Sequence, residues 1–333
     1  MKNKYKNPLT TENFCDPCIL RDGEYYYLYA TNSWCNFTKA PTAKFSPSPI
    51  LRSKDLCNYE FVGSAFDEEH FPRWGTKDAG LWAPDIIKIN GKYVFYYALS
   101  ILFDPNASIG VAVGDSPAGP FVDQGPIIRS LDVGVNNSID PTVFQGYDGK
   151  YYIIWGSYRG IYGSQLSDDG LKLVGEKVHI AGFDKGEIDL DTYEASYMVK
   201  RNGTYYLFFS MGKTLDGKES TYHVVSARSK NPLGPYFDTK GNDMFGANQG
   251  DLVLQGNPHF VGVGHCCVTT DDNNDYWIFY HGVEVSDKYP NGESERILAM
   301  DKILWDENAT PHVKDYTASY HKVLDGPEIR INR

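Results

Sequence analysis

Five copies of a strand–turn–strand pattern, an apolar set dominated by β-formers, and no amphipathic helical stretch long enough to cover a sheet point to an all-β chain. Its predicted fold is a five-bladed β-propeller. In the first copy Asp16 leads through Gly23 into Tyr25-Tyr26-Tyr27-Leu28. In the second, Trp82-Ala83-Pro84-Asp85 runs through Gly91 into Tyr93-Val94-Phe95-Tyr96. The third carries Asp140 through Gly149 into Tyr151-Tyr152-Ile153, the fourth Glu194 through Gly203 into Tyr205-Tyr206-Leu207, and the fifth takes His265 into Tyr276-Trp277-Ile278. From Trp82, Asp140, Glu194 and His265 to the next strand's first aromatic residue is 11 residues each time, and from Asp16 to Tyr25 it is 9. The units start near residues 16, 82, 140, 194 and 265, so 333 residues give about 67 per unit, room for four short strands and long loops. Aromatic residues make up 14% of the chain, 25 of them Tyr, as pleated, half-buried surfaces favour. One domain over residues 1–333 is expected.

The later part of the unit also recurs. Gly114-Asp115-Ser116-Pro117-Ala118-Gly119-Pro120-Phe121 is echoed by Ser229-Lys230-Asn231-Pro232-Leu233-Gly234-Pro235-Tyr236. Ser116 is therefore read as part of a turn rather than as a nucleophile, because no G-x-S-x-G surrounds it and the second copy lacks the Ser in register.

Net charge is −11, from 32 basic and 43 acidic residues, with no basic run, which argues against nucleic acid or an anionic membrane surface as partner. No stretch approaches the ~20 apolar residues of a membrane helix. Basic residues at the N-terminus have no apolar core behind them, so no intact signal peptide is read and a cytoplasmic location is the default expectation, secreted or periplasmic if a leader has been trimmed. Cys15, Cys18, Cys35, Cys57, Cys266 and Cys267 are read as buried thiols. Cys15-Asp16-Pro17-Cys18 leads into a strand instead of a helix, and adjacent Cys266 and Cys267 would face opposite sides of a strand.

Inner strands of a propeller run along its axis, so matching positions in different blades converge at one end of the channel. Asp-Pro is also a common turn starter, and Asp16-Pro17 or Asp140-Pro141 alone would be read as a loop cap. Their shared register with Glu194 and His265 changes that reading. Three carboxyl groups and an imidazole in an aromatic-lined funnel suit hydrolysis of a glycosidic bond, which needs one carboxylate and one carboxylic acid with separated pKa values. Trp82 and Tyr158 are candidates to stack on sugar C–H faces, and Asn137 and Ser157 are candidate hydroxyl partners.

Asp16-Pro17, Leu81-Trp82-Ala83-Pro84-Asp85, Asn137-Ser138-Ile139-Asp140-Pro141, Glu194-Ala195 and Gly264-His265-Cys266, in this order, resemble glycoside hydrolase family 43. Ser108-Ile109-Gly110-Val111-Ala112, Trp155-Gly156-Ser157-Tyr158, Glu219-Ser220-Thr221-Tyr222-His223 and Gly234-Pro235-Tyr236 make it most similar to the arabinanases of that family. The resemblance implies an inverting hydrolase of α-1,5-linked L-arabinofuranosyl chains. It assigns Asp16 as general base, Glu194 as general acid and Asp140 as the residue that orients the acid and raises its pKa. It further implies that His265 helps hold an ion, commonly calcium, in the central channel.

The chain departs from the family pattern in having Cys15 immediately before the base and Ser196 after Glu194-Ala195. An insertion with Pro41, Pro47 and Pro49 in the first blade and a charged loop from Glu284 to Arg296 in the last are expected to wall one end of the cleft. An open groove would give endo action on arabinan, and a blocked one exo trimming of arabino- or xylo-oligosaccharides, as an α-L-arabinofuranosidase or β-xylosidase does. A propeller that binds sugar without cleaving it is the non-enzymatic alternative, against which the full set of three acids speaks.

Overall fold

A computed structural model describes residues 3–39, 42–183, 189–285 and 295–330. Five four-stranded antiparallel sheets follow one another along the chain, spanning residues 18–64, 80–129, 142–181, 194–254 and 260–312. Their first strands, Cys18–Asp22, Gly80–Ile89, Thr142–Gln145, Glu194–Arg201 and Phe260–Thr270, touch in a closed ring around the axis. This is the predicted five-bladed propeller.

The Tyr-rich runs are the second strands: Tyr25–Tyr29, Lys92–Ser100, Tyr151–Trp155, Thr204–Met211 and Tyr276–Glu284. Each is buried on both faces because a blade lies on either side, which explains why apolar residues run continuously instead of alternating. Successive side chains enter opposite gaps. Tyr27 and Tyr29 pack with Phe95 and Phe121 between the first two blades, while Tyr26 and Leu28 pack with Phe279 and Leu298 between the last and the first. The core is thus divided among the gaps between blades.

The ring closes between the fifth blade and the first. Leu9 N donates to Leu298 O at 2.7 Å and Phe14 N to Arg296 O at 2.9 Å. The Asn7 side chain both donates to Met300 O (2.7 Å) and accepts from Met300 N (3.0 Å), standing in for a strand backbone. Lys4–Lys6 pairs with Val323–Asp325 beside this seam.

The repeated turns behave as read: Ser116 Oγ accepts Ala118 N at 3.1 Å, and Gly119 and Gly234 hold matching left-handed positions, φ 70° and 84°. All six cysteines are free thiols. Among the described residues no helix is long and apolar enough to cross a membrane. Pro41 and residues 286–294 of the expected charged loop lie outside the described residues. Pro47 and Pro49 flank the start of strand Pro49–Ser53.

Candidate active site

In every blade the register of the first strand slips at one matching place, and the fifth blade has a further slip between Val261 and Gly264. Trp82 faces Ala98 but Asp85 faces Tyr96; Glu194 faces Ser210 but Tyr197 faces Phe208; Gly264 faces His281 but Cys267 faces Phe279. The first and third blades do the same, since Thr31 N donates to Cys15 O before Cys18 faces Tyr29, and Gly156 N to Ile139 O before Thr142 faces Ile154. Two inner-strand residues therefore oppose one partner, a bulge that re-aims a side chain. Its first residue is left-handed throughout: Asp16 (φ 53°), Ala83 (41°), Asp140 (56°), Ala195 (51°) and His265 (48°).

This corrects the sequence alignment of the blades. Glu194 stands one position ahead of the bulge, with Cys15, Trp82, Ile139 and Gly264, and does not share the register of Asp16, Asp140 and His265. The common 11-residue spacing concealed the offset because hairpin loops differ: Asn90-Gly91 and Asn202-Gly203 are short, whereas residues 146–150 and 271–275 form longer turns.

Bulge and pre-bulge residues surround a cleft of about 570 Å³ that holds Asp16, Asp140, Glu194, His265, Trp82, Asn137, Ser157 and Tyr158 together. Ile101, Leu102, Phe103, Leu190 and Leu215 add exposed apolar surface at its mouth.

Asp16 lines one part of the cleft. Its Oδ1 lies 3.0 Å from Arg296 Nη1 and 3.3 Å from His265 Nδ1, and its Oδ2 accepts Thr31 Oγ1 at 2.5 Å. His281 Nδ1 lies 3.1 Å from Asp16 N and 3.2 Å from Asp16 Oδ1, while its Nε2 is buried without a hydrogen-bond partner. Burial alone would raise the carboxyl's pKa, but the Arg296 guanidinium, followed by His265, holds it well below the usual carboxylate range. Burial pushes His265 down to about 4 and lowers His281, so at neutral pH Arg296 supplies the positive charge.

Another part of the cleft carries the paired acids. Glu194 Oε2 accepts Ser157 Oγ at 2.7 Å and Oε1 accepts Tyr222 OH at 2.5 Å; Asp140 Oδ2 accepts Ala195 N at 3.2 Å. Burial first, then repulsion from Glu194, raises Asp140 well above its ordinary value. Burial likewise raises Glu194, although the Tyr222 and Ser157 hydroxyls pull it partly back. The two titrate as one coupled unit.

Asn137 Nδ2 donates to Ser157 O (3.1 Å), and Tyr158 OH donates to Gly212 O (2.5 Å), so both brace the cleft that they line. Ser157 spends its hydroxyl on Glu194. Gly264 admits the Tyr222 ring, because a Cβ there would stand 2.3 Å from it. Thr31, Tyr222, His281 and Arg296 had no assigned role from sequence. His281, a buried polar residue inside the apolar run Tyr276–Glu284, carried the one local signal that would have marked it.

A calcium ion takes six to eight oxygen ligands. Among the described residues no three His, Cys, Asp or Glu side chains converge on a metal position. His265 offers one nitrogen, beside a cation, Arg296, so the described residues provide no direct ligand set for such an ion.

The family model for glycosyl hydrolases family 43 matches residues 5–311. An extracellular exo-α-(1→5)-L-arabinofuranosidase from Cellvibrio japonicus is 32% identical over 90% of this chain and 86% of its own. An extracellular endo-α-(1→5)-L-arabinanase from Bacillus subtilis is 31% identical over 75% of each chain. Among solved structures, the α-L-arabinanase of Cellvibrio cellulosa complexed with arabinohexaose superposes with a TM-score of 0.77 at 27% identity, covering 92% of this chain and 99% of that one.

Proposed function

The chain belongs to glycosyl hydrolases family 43, and from that premise we propose that it hydrolyses α-1,5-L-arabinofuranosyl linkages of arabinan or arabino-oligosaccharides with inversion. The observation that carries this reading is the opposed electrostatics of one cleft: a carboxyl whose pKa Arg296 lowers shares it with a buried acid pair whose pKa values burial raises.

Asp16 takes a proton from water as that water attacks the anomeric carbon. Thr31 and Arg296 fix its two oxygens, leaving it charged and in one rotamer. Glu194 delivers a proton to the leaving sugar oxygen. Asp140 keeps that proton available, since two carboxylates so close in a dry pocket cannot both ionise cheaply. Trp82 offers a ring to the sugar's C–H face and Asn137 a polar edge.

Arabinan relatives of both exo and endo type favour arabinose over xylose as the sugar. The test incubates the protein with linear arabinan, arabino-oligosaccharides and xylobiose and follows product length over time. Arabinan hydrolysis to mixed lengths gives endo action and release of one short product gives exo action, while cleavage of xylobiose alone overturns the reading. Proton NMR of the first anomer formed checks inversion.

A further inference from the structure

The cleft-side connection in the first blade carries a small hairpin, Ser33–Cys35 paired with Lys44–Ser46. Its alternation is reversed from the usual one. Ser33, Cys35 and Ser46 point inward and are buried, whereas Trp34 and Phe45 face solvent at 69% and 45% exposure. These two rings are direct cross-strand partners, with centroids 5.9 Å apart and planes tilted by 58°. Burying them would contribute more hydrophobic stabilisation than burying the two serines, so local packing gives no reason for this arrangement.

The inward face explains how the rings are held out. Ser46 Oγ and Ser64 Oγ share a hydrogen bond of 2.6 Å, and Asn36 N donates to Glu12 Oε2 at 2.9 Å. The hairpin is also continuous with the catalytic cleft. Thr31, three residues before Trp34, bonds the Asp16 carboxylate, and Asn32 N donates to Leu81 O at 2.8 Å, beside Trp82. On its other side Phe45 lines a second hollow of about 800 Å³ with Phe71, Arg73 and Leu99.

We propose that Trp34 and Phe45 form a sugar-binding platform outside the cleft, which takes the part of a neutral arabinan chain extending beyond the reacting bond. The inference rests on the arabinan reading of the site. Exposed flat rings, Trp34 three residues along the chain from the cleft residue Thr31 and Phe45 paired across from it, suit the C–H faces of a polysaccharide, and the chain's net charge of −11 disfavours a polyanion there.

Trp34→Ala and Phe45→Ser are compared with wild type on polymeric linear arabinan and on arabinotriose, with melting temperature and light scattering measured alongside. Expected is a loss of roughly five- to tenfold in kcat/KM on the polymer, unchanged rates on arabinotriose and an unchanged melting temperature. In the Glu194→Gln background, Trp34→Ala is also expected to abolish retardation of the protein in arabinan-containing native gels. Equal losses on polymer and trisaccharide, no loss on either, or a change in oligomeric state with polymer kinetics intact each overturn the platform while leaving the arabinan reading standing. A wild-type protein inert on every arabinan substrate overturns both.

Discussion

Asp16 and Glu194 are equally buried carboxyl groups in one cleft, each 7% exposed, yet their surroundings drive them in opposite directions. Asp16 sits at the seam between the first and last blades against a guanidinium; Glu194 sits between the third and fourth blades among hydroxyls and a second acid. A full opposite charge at 3.0 Å outweighs burial, whereas hydroxyl donors only moderate it. Which blade a carboxyl comes from therefore decides its job.

The comparison breaks most completely when either carboxyl is removed. Asp16→Asn and Glu194→Gln are each expected to lower kcat by about 10²–10⁴ without loss of fold, checked by steady-state kinetics beside circular dichroism. Next comes the counter-charge. Arg296→Met frees Asp16 from the influence that depresses its pKa, so the acidic limb of kcat/KM, where the base gains a proton, moves to higher pH and neutral activity falls by roughly 10- to 100-fold. Arg296→Lys is expected to restore the limb in part.

A steric route reaches the acid side. Gly264→Ala drives a methyl into the Tyr222 ring, and a stability loss of about 1–3 kcal/mol should appear in denaturant titration. Smallest is Tyr222→Phe, which keeps the ring and deletes one donor to Glu194. Because that hydrogen bond lowers the acid's pKa, its loss raises it, and the alkaline limb moves to higher pH with activity within about tenfold of wild type. A limb that moves down would overturn the account of the acid wall.

Sequence and structure agree where the information is local. Hairpins such as Asp22-Gly23-Glu24-Tyr25 announce blades, because turn residues and apolar strands lie a few positions apart. The bulge was not legible: a left-handed residue shared by Asp16, Ala83, Asp140, Ala195 and His265 is a backbone property that differing side chains and hairpin lengths hide. Arg296 was out of reach for another reason. It meets Asp16 across 280 residues, and no periodicity links a carboxylate to a counter-charge at the far end of a chain. Ser157 was expected to meet a sugar hydroxyl and Tyr222 lay in a recognised motif, but their hydrogen bonds to Glu194 were not legible in the sequence.

The seam of Asn7 to Phe14 against Arg296 to Met300 carries a consequence for the order of assembly. The cation that lowers the pKa of Asp16 arrives with the final blade, so four finished sheets on the ribosome hold a carboxyl group without its counter-charge. Joining ends so far apart in sequence is a costly, late contact. On the proposed mechanism, catalytic competence is therefore acquired in the step that shuts the ring, and a chain stalled before it is expected to keep its pleats while remaining silent toward substrate.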